Sequence, residues 1–429
     1  MRWYAILVFV ALFFAGPVRA SLEELAAALP SCALPCFTEA ISQSSCAPTN
    51  QTCMCTNEDF TGMVELCVLK SCSIREALTT KNVSATNCGA PIRDRTKAVS
   101  IAGLAGGALA LLAFCLRIIA RLPCCGGTIG MDDWTMALTM LCVIPISILS
   151  YVLAEDGLGK DMWVVPFDNI THILYIYFFD ECLYLTGIAL TKISILCFYL
   201  RVFPRREFRI LVYIAIGINV AYIIVFDLIS IFQCSPVQGA WHRWDETGDY
   251  KCNNINAQGW SSAAVNMALD IMVMALPIKE LYGLNLSWRR KVFVMCMFSL
   301  GIFVTLVSII RLESLIVFAN TTNLTWDYVQ IGYWSTIEIH VGVICACLPA
   351  IRALFRRIWP RMFGDTDKGI SKGSRSRSVG TGSRNTGIGL ASPRKHADDH
   401  FVPLVDMGDS SQLNLTSESG PRHQGWAAA

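Results

Sequence analysis

Seven long apolar runs, separated by short polar segments, dominate the hydropathy pattern of this chain. They lie at about 98–120, 134–153, 172–200, 210–232, 260–278, 292–319 and 329–351. A transmembrane helix needs about 20 apolar residues, because the hydrocarbon core is about 30 Å thick and each helical residue advances about 1.5 Å. The runs are continuously apolar and lack the two-residue alternation of membrane barrel strands. The pattern therefore predicts an all-α fold with a seven-transmembrane helix bundle over residues 98–357.

A much shorter apolar stretch stands at the N-terminus. It runs from Trp3 to Ala15, follows the basic Arg2 and precedes the small-residue triplet 18–20. These are the three parts of a cleaved secretory signal peptide, and the apolar part is too short to span a membrane permanently. We expect residues 1–20 to be removed, and a retained signal anchor is the alternative.

Eight cysteines follow the signal within residues 21–97. So short a segment cannot bury enough apolar surface to fold unaided, so an even number of closely spaced cysteines predicts a disulfide-bonded domain in an oxidising compartment. Spacing alone leaves the connectivity open. A later pair, Cys234 and Cys252, forms either a fifth disulfide or two free thiols. The eight residues are Cys32, Cys36, Cys46, Cys53, Cys55, Cys67, Cys72 and Cys88.

Composition and charge distribution predict the orientation. Hydrophobic residues make up 54% of the chain and the formal net charge is +2, so the balance favours a lipid environment and no nucleic-acid partner. Arginine and lysine are frequent in 117–121, 201–209, 279–291 and 352–361 and sparse in the intervening loops. The positive-inside rule therefore predicts an extracellular N-terminus and a cytoplasmic C-terminus, and we expect the protein in the plasma membrane. Residues 358–429, rich in serine and glycine, read as a disordered cytoplasmic tail.

Some surface positions carry modification or interaction signals. Four asparagines on the predicted outer side stand in glycan-acceptor triplets: Asn50, Asn82, Asn320 and Asn323. Basic residues of two predicted inner loops form a candidate signalling surface: Arg201, Arg205, Arg206, Arg289, Arg290 and Lys291.

Five ionisable residues inside the apolar runs form a candidate ligand cavity: Asp180, Glu181, Asp270, Arg311 and Glu338. Charges in hydrocarbon are costly and mark functional positions, and these fall at similar depths. They predict a polar cavity that opens outward beneath the cysteine domain. The alternative is structural, with Arg311 pairing with Asp270 or Glu338 to hold helices together. Lys192, three turns further along, either extends the cavity inward or snorkels to the inner interface.

Catalytic and metal-binding patterns are not found in the sequence. It contains no zinc-protease helix motif, phosphate-binding glycine loop or nucleophile elbow. His340 lies two residues from Glu338, so the two side chains point to nearly opposite helix faces and do not form a metal set. We therefore expect no enzyme activity and no metal site.

The order of the cysteines, with Pro30-x-Cys32 and the Cys53-x-Cys55 pair, resembles the fungal CFEM domain, a secreted helical module. In haem-binding members an aspartate three residues before the Cys-x-Cys pair binds the iron, and here that position is Asn50. A neutral amide is a poor replacement for a carboxylate ligand. The resemblance therefore implies the CFEM fold without a complete haem ligand set, and we expect no bound cofactor.

The membrane part resembles the rhodopsin-like seven-helix family of fungi. The resemblance rests on motifs spread over residues 100–357: Asp132-Asp133-Trp134, Gly157-Leu158-Gly159-Lys160, Lys192-Ile193-Ser194, Ser308-x-x-Arg311 and Leu348-Pro349. The histidine that usually follows the second motif is Asp161 here. Residues 329–351 contain no lysine, which excludes a retinal Schiff base in the seventh helix.

Together the two parts are similar to CFEM-containing, G-protein-coupled-receptor-like membrane proteins of filamentous fungi, some of which sense host surfaces. The resemblance implies a receptor that senses an unidentified extracellular ligand or surface and signals inward through a heterotrimeric G protein and cAMP, in development or pathogenicity. The alternative is a haem- or iron-handling or transport-associated protein. A membrane enzyme is a third reading.

Overall fold

A computed structural model describes residues 27–47, 50–123, 127–282, 288–318 and 321–358, excepting the side chains of 281–298, 300, 317 and 318. The predicted signal peptide, Asn320 and the predicted tail beyond residue 358 lie outside the described residues.

Four helices of the cysteine domain lie within the described residues, and three of them begin at a polar N-cap. The four helices are α1 (Ala33–Gln43), α2 (Gln51–Thr56), α3 (Glu58–Ser71) and α4 (Ile74–Asn87). The side chain of Asn50 accepts a hydrogen bond from the backbone N–H of Cys53 at 3.1 Å and so caps α2. Ser73 and Glu76 form a reciprocal capping box at α4, and the hydrogen bonds from Ser73 lower the pKa of Glu76. These caps satisfy backbone donors that the first turns leave free.

Four disulfides join these helices, in the pairs Cys32–Cys72, Cys36–Cys67, Cys46–Cys53 and Cys55–Cys88. The buried core between α1 and α3 is small: Ala33, Cys36, Ala40, Phe60, Val64 and Val68. So little apolar surface cannot hold a domain of this size, so the cross-links supply much of its stability.

Seven long helices follow: α5 (Thr96–Arg121), α6 (Met131–Asp156), α7 (Phe167–Val202), α8 (Arg206–Ile231), α10 (Ile255–Ala275), α12 (Trp288–Phe318) and α13 (Leu324–Ile358). Each occupies one of the predicted apolar runs. Six are long and apolar enough to cross a membrane. The fifth of the seven counts as such a span together with the short α11 (Ile278–Tyr282), which continues α10. The remaining one, α12, has the length and position of the predicted sixth span. The chain is therefore all-α, with a disulfide-rich helical domain followed by a seven-helix bundle.

Each long helix packs against its neighbours in sequence, and α13 returns to α5 to close the bundle. Helix α7 is the most buried of the six apolar spans, and it contacts α6, α8, α10 and α13. Glycines on α5 permit its close approach: a Cβ at Gly103 would collide with Ser150, and one at Gly107 with Ser147. Without a hydrophobic driving force between helices in lipid, such close backbone packing is what holds them together.

The loop between α8 and α10 is folded over one end of the bundle. Strand β1 (Cys234–Ser235) pairs with β2 (Lys251–Cys252) in antiparallel fashion, and the Cys234–Cys252 disulfide joins them. Between them, α9 (Gly239–His242) places the Trp241 ring 5.1 Å from that of Tyr175. The alternative of two free thiols at these positions is therefore wrong.

The cysteine domain rests on this loop and on the neighbouring α6–α7 loop. Arg75 of α4 forms an ion pair with Asp245 at 2.7 Å, and Ile74 and Leu78 pack against the cluster that contains Trp244 and Val329. We call this the near end of the bundle and the other the far end. The near end contains the beginnings of α5, α7 and α13.

The disulfides should differ in what their removal costs, because the entropy lost on loop closure grows with loop length. The Cys36–Cys67 bond spans 31 residues and the Cys46–Cys53 bond 7. Loop entropy predicts a loss of about 3.7 kcal/mol for Cys36→Ala/Cys67→Ala and about 2.4 kcal/mol for Cys46→Ala/Cys53→Ala. Surface delivery of the full chain and proteolytic resistance of its N-terminal domain measure the difference. Equal loss in both variants would contradict this ranking.

Candidate functional site

Most of the buried ionisable side chains that the structure describes in the bundle fall, with their polar partners, into three groups, and α7 contributes to each. The near-end group contains Glu181, Ser230 and Gln258. The central network contains Tyr184, Lys192, Asn266, Asp270, Ser308, Arg311 and Glu338. The far-end cluster contains Arg117, Arg121, Asp132, Asp133 and Arg201.

Glu338 of α13 is the centre of the central network and is only 2% exposed. Its carboxylate accepts hydrogen bonds from Tyr184, Asn266 and Ser308, each at 2.7 Å. Three donors on three other helices surround one carboxylate, so Glu338 joins α7, α10, α12 and α13. Hydrogen bonding of this kind is what makes a buried charge tolerable.

Lys192 supplies one of the two cations of the network. Its Nζ lies 3.1 Å from Oδ1 of Asp270 and donates a hydrogen bond to Oδ1 of Asn266 at 2.6 Å. The side chain is buried among protein atoms and does not reach an interface. The snorkelling interpretation of Lys192 is therefore wrong.

Arg311 supplies the second cation. Its Nε lies 3.1 Å from Oε2 of Glu338, and its guanidinium lies 5.2 Å from the ring centroid of Tyr184. The Nε–H is not aligned for a hydrogen bond, and Nη2 has no hydrogen-bond partner among the described residues. The structure thus brings together Asp270, Arg311 and Glu338 of the predicted cavity, in the pairing that the structural alternative anticipated.

The near-end group lies closer to the cysteine domain and is incompletely satisfied. Oε1 of Glu181 accepts weak hydrogen bonds from Ser230 at 3.3 Å and from Gln258 at 3.4 Å. Gln258 also donates to Ser230 at 2.8 Å, but its own Oε1 is buried without a partner in the described part of the chain. Within those residues no basic side chain forms an ion pair with Glu181. Acceptors therefore outnumber donors here.

Asp180 and Asp227 lie beside this group and share its shortage of donors. Oδ1 of Asp180 is buried and has no partner among the residues described. Asp227 accepts one hydrogen bond, from Thr186 at 2.6 Å, and its other oxygen lacks a described partner. The predicted single cavity is therefore divided, with Asp180 and Glu181 in one place and the other three residues in the central network.

The far-end cluster is centred on Arg117, which is 1% exposed. Its guanidinium lies 2.7 Å from Asp132 and 2.8 Å from Asp133, and it donates to the carbonyl of Ala346 at 2.6 Å. The two aspartates occupy the first turn of α6, where the helix dipole favours negative charge, and Asp133 also caps that helix through the N–H of Gly130. One arginine thus ties together α5, α6 and α13.

Arg121 and Arg201 complete this cluster. They lie 3.1 Å and 3.3 Å from Asp132. Arg201 also donates to the carbonyl of Thr128 at 2.8 Å, and Ser194 donates to the carbonyl of Asp132 at 2.7 Å, which adds α7 to the assembly. Three arginines face two aspartates, so one positive charge is in excess. The sequence signal for this cluster was the i, i+4 spacing of Arg117 and Arg121 together with two consecutive acids. These residues lie at the ends of the apolar runs, so a criterion based on isolated charges within the spans does not detect them.

The predicted signalling surface divides in the same way. The side chain of Arg201 is 19% exposed and belongs to the far-end cluster, so its assignment to a free surface is wrong. Arg205 is 65% exposed, although it lies 3.1 Å from Glu280, and Arg206 is exposed. The side chains of Arg289, Arg290 and Lys291 lie outside the described residues.

Two further groupings resemble sites and are not. Cys32, Cys72 and Glu76 lie close together, but the two sulfurs form a disulfide and offer no thiolate to a metal. Ser147 and His340 lie 3.0 Å apart in the bundle. Ser147 also donates to the carbonyl of Val143, and Nδ1 of His340 lacks an acidic partner in the described residues, so the pair has no orienting acid for nucleophilic catalysis.

The residues at the position of the haem ligand do not fit haem. The side-chain oxygen of Asn50 is engaged in capping α2, and a neutral amide is an unsuitable iron ligand. Its nitrogen remains exposed, as does the side chain of Asn82, so both can carry a glycan. Asn323 differs, since its Nδ2 donates to Asp161 at 2.8 Å and its Oδ1 accepts from the N–H of Met162 at 2.9 Å. A glycan at Asn323 would have to fit beside these two contacts, so this half-buried residue is a poorer acceptor than Asn50 or Asn82.

Comparison with known proteins identifies both parts of the chain. Residues 25–89 match the CFEM domain, and residues 116–357 match the fungal rhodopsin domain. No solved structure matches.

Three relatives illustrate the range of similar proteins. A SAT4 family membrane protein of Emericella nidulans is 34% identical over 202 residues, which is 46% of this chain and 50% of the relative. The receptor GIN3 of Arthrobotrys oligospora is 25% identical, with 62% of this chain and 65% of the relative covered. The fugralins biosynthesis cluster protein 2 of Gibberella zeae is 21% identical, with 59% and 66% covered.

The chain thus spans between half and two thirds of the length of these relatives. The fungal rhodopsin match covers more than half of the chain, and it includes all residues of the central network and of the far-end cluster. The chain is a CFEM-containing multi-pass membrane protein that belongs to the fungal rhodopsin domain family.

Proposed function

We propose that this chain is a plasma-membrane receptor that senses an extracellular cue at its near end and signals to a cytoplasmic partner at its far end. The observation that carries the proposal is the sequence of three buried polar groups along α7. Glu181, Lys192 and Arg201 of this one helix belong to the near-end group, the central network and the far-end cluster. A shift of α7 that improves one group must alter the other two.

The near-end group is the better candidate for ligand binding. Buried polar atoms without partners cost free energy, and here they include Oε1 of Gln258 and Oδ1 of Asp180. A ligand that donates hydrogen bonds or carries positive charge would relieve that cost. The central network has two cations and two carboxylates in close contact, which suits a structural connection rather than a ligand site.

The far end is the better candidate for the signalling surface. The exposed Arg205 and Arg206 follow α7 directly, and the basic excess at this end supports a cytoplasmic location. The far-end cluster holds α5, α6, α7 and α13 together, so its rearrangement would change the surface offered to a partner. A heterotrimeric G protein that controls cAMP is the proposed partner, and host-surface sensing is the proposed context.

One relative is named as a receptor, which supports this proposal, whereas others are named for biosynthesis clusters. We infer that the present chain is not an enzyme, because the buried pair Ser147 and His340 lacks an orienting acid among the described residues. Transport or handling of haem is less well supported, because the oxygen of Asn50 caps a helix.

The first test concerns the near-end group. Glu181→Gln removes the carboxylate but keeps the shape, so we expect the cue response to fall about tenfold, the loss typical of one charge-assisted contact. The measurement is cAMP against cue strength, normalised to surface-labelled receptor. Asp168→Asn, on the exposed first turn of the same helix, is the matched control. An unaltered dose response in Glu181→Gln would refute this location of the ligand.

The second test concerns the central network. Lys192→Met leaves Asp270 buried without its cation, which should destabilise the bundle by about 3–5 kcal/mol. The double variant Lys192→Met/Asp270→Asn removes both charges and should recover much of that loss. Thermal unfolding of the purified protein in detergent measures both. A double variant as unstable as Lys192→Met would show that the ion pair does not stabilise the bundle.

The third test separates the two kinds of far-end arginine. We expect Arg205→Gln/Arg206→Gln to lower signalling with unchanged surface delivery, because both side chains are exposed. Arg201→Gln should instead lower thermal stability, because it weakens the far-end cluster. Arg243→Gln, an exposed arginine at the near end, serves as the control. Normal signalling in the Arg205/Arg206 variant would count against this surface.

A further inference from the structure

Two arginines attach the cysteine domain to the bundle, and each pairs with a buried aspartate in a different loop. Arg75 lies in the first turn of α4, and Arg93 lies in the segment between the domain and α5. Their partners are Asp245, in the loop before α10, and Asp161, in the loop before α7. Two attachments at separate points restrain both the rotation of the domain on the bundle and its separation from the bundle.

The Arg75 attachment combines charge with aromatic packing. The guanidinium lies 2.7 Å from Asp245, whose side chain is 5% exposed, and 5.5 Å from the ring centroids of both Phe167 and Trp244. Burial raises the pKa of Asp245, but hydrogen bonds from Thr247 and Arg75 outweigh it, and the net pKa lies below the usual value. The aspartate is therefore charged at neutral pH. Phe167 is the first residue of α7, so this contact reaches the most buried of the six apolar spans.

The Arg93 attachment reaches α13. Both carboxylate oxygens of Asp161 accept hydrogen bonds from Arg93, with Nε at 3.1 Å, and these bonds raise the pKa of Arg93. Its guanidinium lies 4.3 Å from the ring centroid of Trp326, in the first turn of α13. Asp161 also accepts a hydrogen bond from Asn323. A buried carboxylate with three donors is a built contact rather than a chance surface pair.

Backbone hydrogen bonds join the same segments. The N–H of Arg95 donates to the carbonyl of Gly159 at 2.8 Å, and the N–H of Gly159 donates to the carbonyl of Thr325 at 3.1 Å. Gly159 has a φ of +110°, and a Cβ there would lie 2.7 Å from the backbone nitrogen of Thr96. Glycine is therefore required where the linker, the α6–α7 loop and the start of α13 meet.

The contact with Arg93 explains why an aspartate is stable at position 161. The motif Gly157–Lys160 is usually followed by histidine in the family that the bundle resembles, and here Asp161 takes that position. Asp161 is buried in the loop before α7, and a buried carboxylate requires a cation. Arg93 supplies this cation from the segment that follows the cysteine domain.

We propose that Arg75 and Arg93 clamp the cysteine domain to the bundle as a regulatory cap, so that whatever engages the domain acts on α7 and α13. The regulatory half of this proposal, that the domain acts on α7 and α13, rests on the proposed receptor function. The structural half, that the domain is held against the bundle rather than only tethered by the linker, does not depend on that function. The connection from the cysteine domain to the buried polar groups is short, because α7 carries Glu181 of the near-end group and α13 carries Glu338 of the central network.

Charge exchange across the second clamp tests the structural half. Arg93→Asp and Asp161→Arg are each made alone and together in the full chain in lipid nanodiscs. Amide hydrogen exchange of residues 93–97 is the measurement. Each single variant should accelerate exchange about tenfold, and the double variant should return it to near the original rate. Lys70→Glu, an exposed lysine of the same domain, should leave it unchanged.

Arg93→Gln and Asp161→Asn remove each charge without reversing it and replace any charge-reversed variant that fails to fold. Exchange that is unaffected by every one of these changes would overturn the clamp. Signalling is measured in the same variants. If exchange accelerates as expected while the cue response is unaltered, the regulatory half is overturned and the docked arrangement stands. A failure of the receptor function itself would show in Glu181→Gln, which lies outside the clamp and should not change this exchange.

Discussion

The high cost of a charge in hydrocarbon determines how this bundle is assembled. Every strongly buried cation that the structure describes within the spans faces carboxylates on another helix: Arg117 meets Asp132 and Asp133, and Arg311 meets Glu338. Since neither partner can be removed without leaving the other exposed to lipid or buried alone, these pairs fix which helices are neighbours. Apolar side chains fill the remaining space but would tolerate other arrangements.

Helix α7 connects these pairs into one system. It contributes Tyr184 and Lys192 to the central network and Ser194 and Arg201 to the far-end cluster. The carboxylates of the central and far-end groups are paired with cations, although Arg311 and Arg121 keep nitrogens without described partners, whereas the near-end group has buried acceptors and no described cation. This difference in charge pairing, more than the number of charges, is what separates a candidate binding position from structural connections. The near-end group is also the group closest to the cysteine domain.

Local patterns were sufficient to predict the elements. Continuous apolar runs predicted the long helices, because span length follows from bilayer thickness. Closely spaced cysteines predicted the disulfide domain, because a short segment needs cross-links. For the site, depth along each helix predicted that Asp270, Arg311 and Glu338 would meet. It also joined Asp180 and Glu181 to them, but these two lie nearer the cysteine domain. Counting residues from the ends of a span estimates depth too coarsely to separate neighbouring groups.

The sequence by itself determined the class of the protein, the number and extent of its long helices, and the need for disulfides, since each depends on composition over a short window. Only the tertiary structure decided the pairings. It placed Arg201 among buried charges, engaged Lys192 with Asp270, and used Asn323 to support Asp161. These choices join residues between 69 and 162 positions apart, where the chain's path rather than local pattern sets the distance.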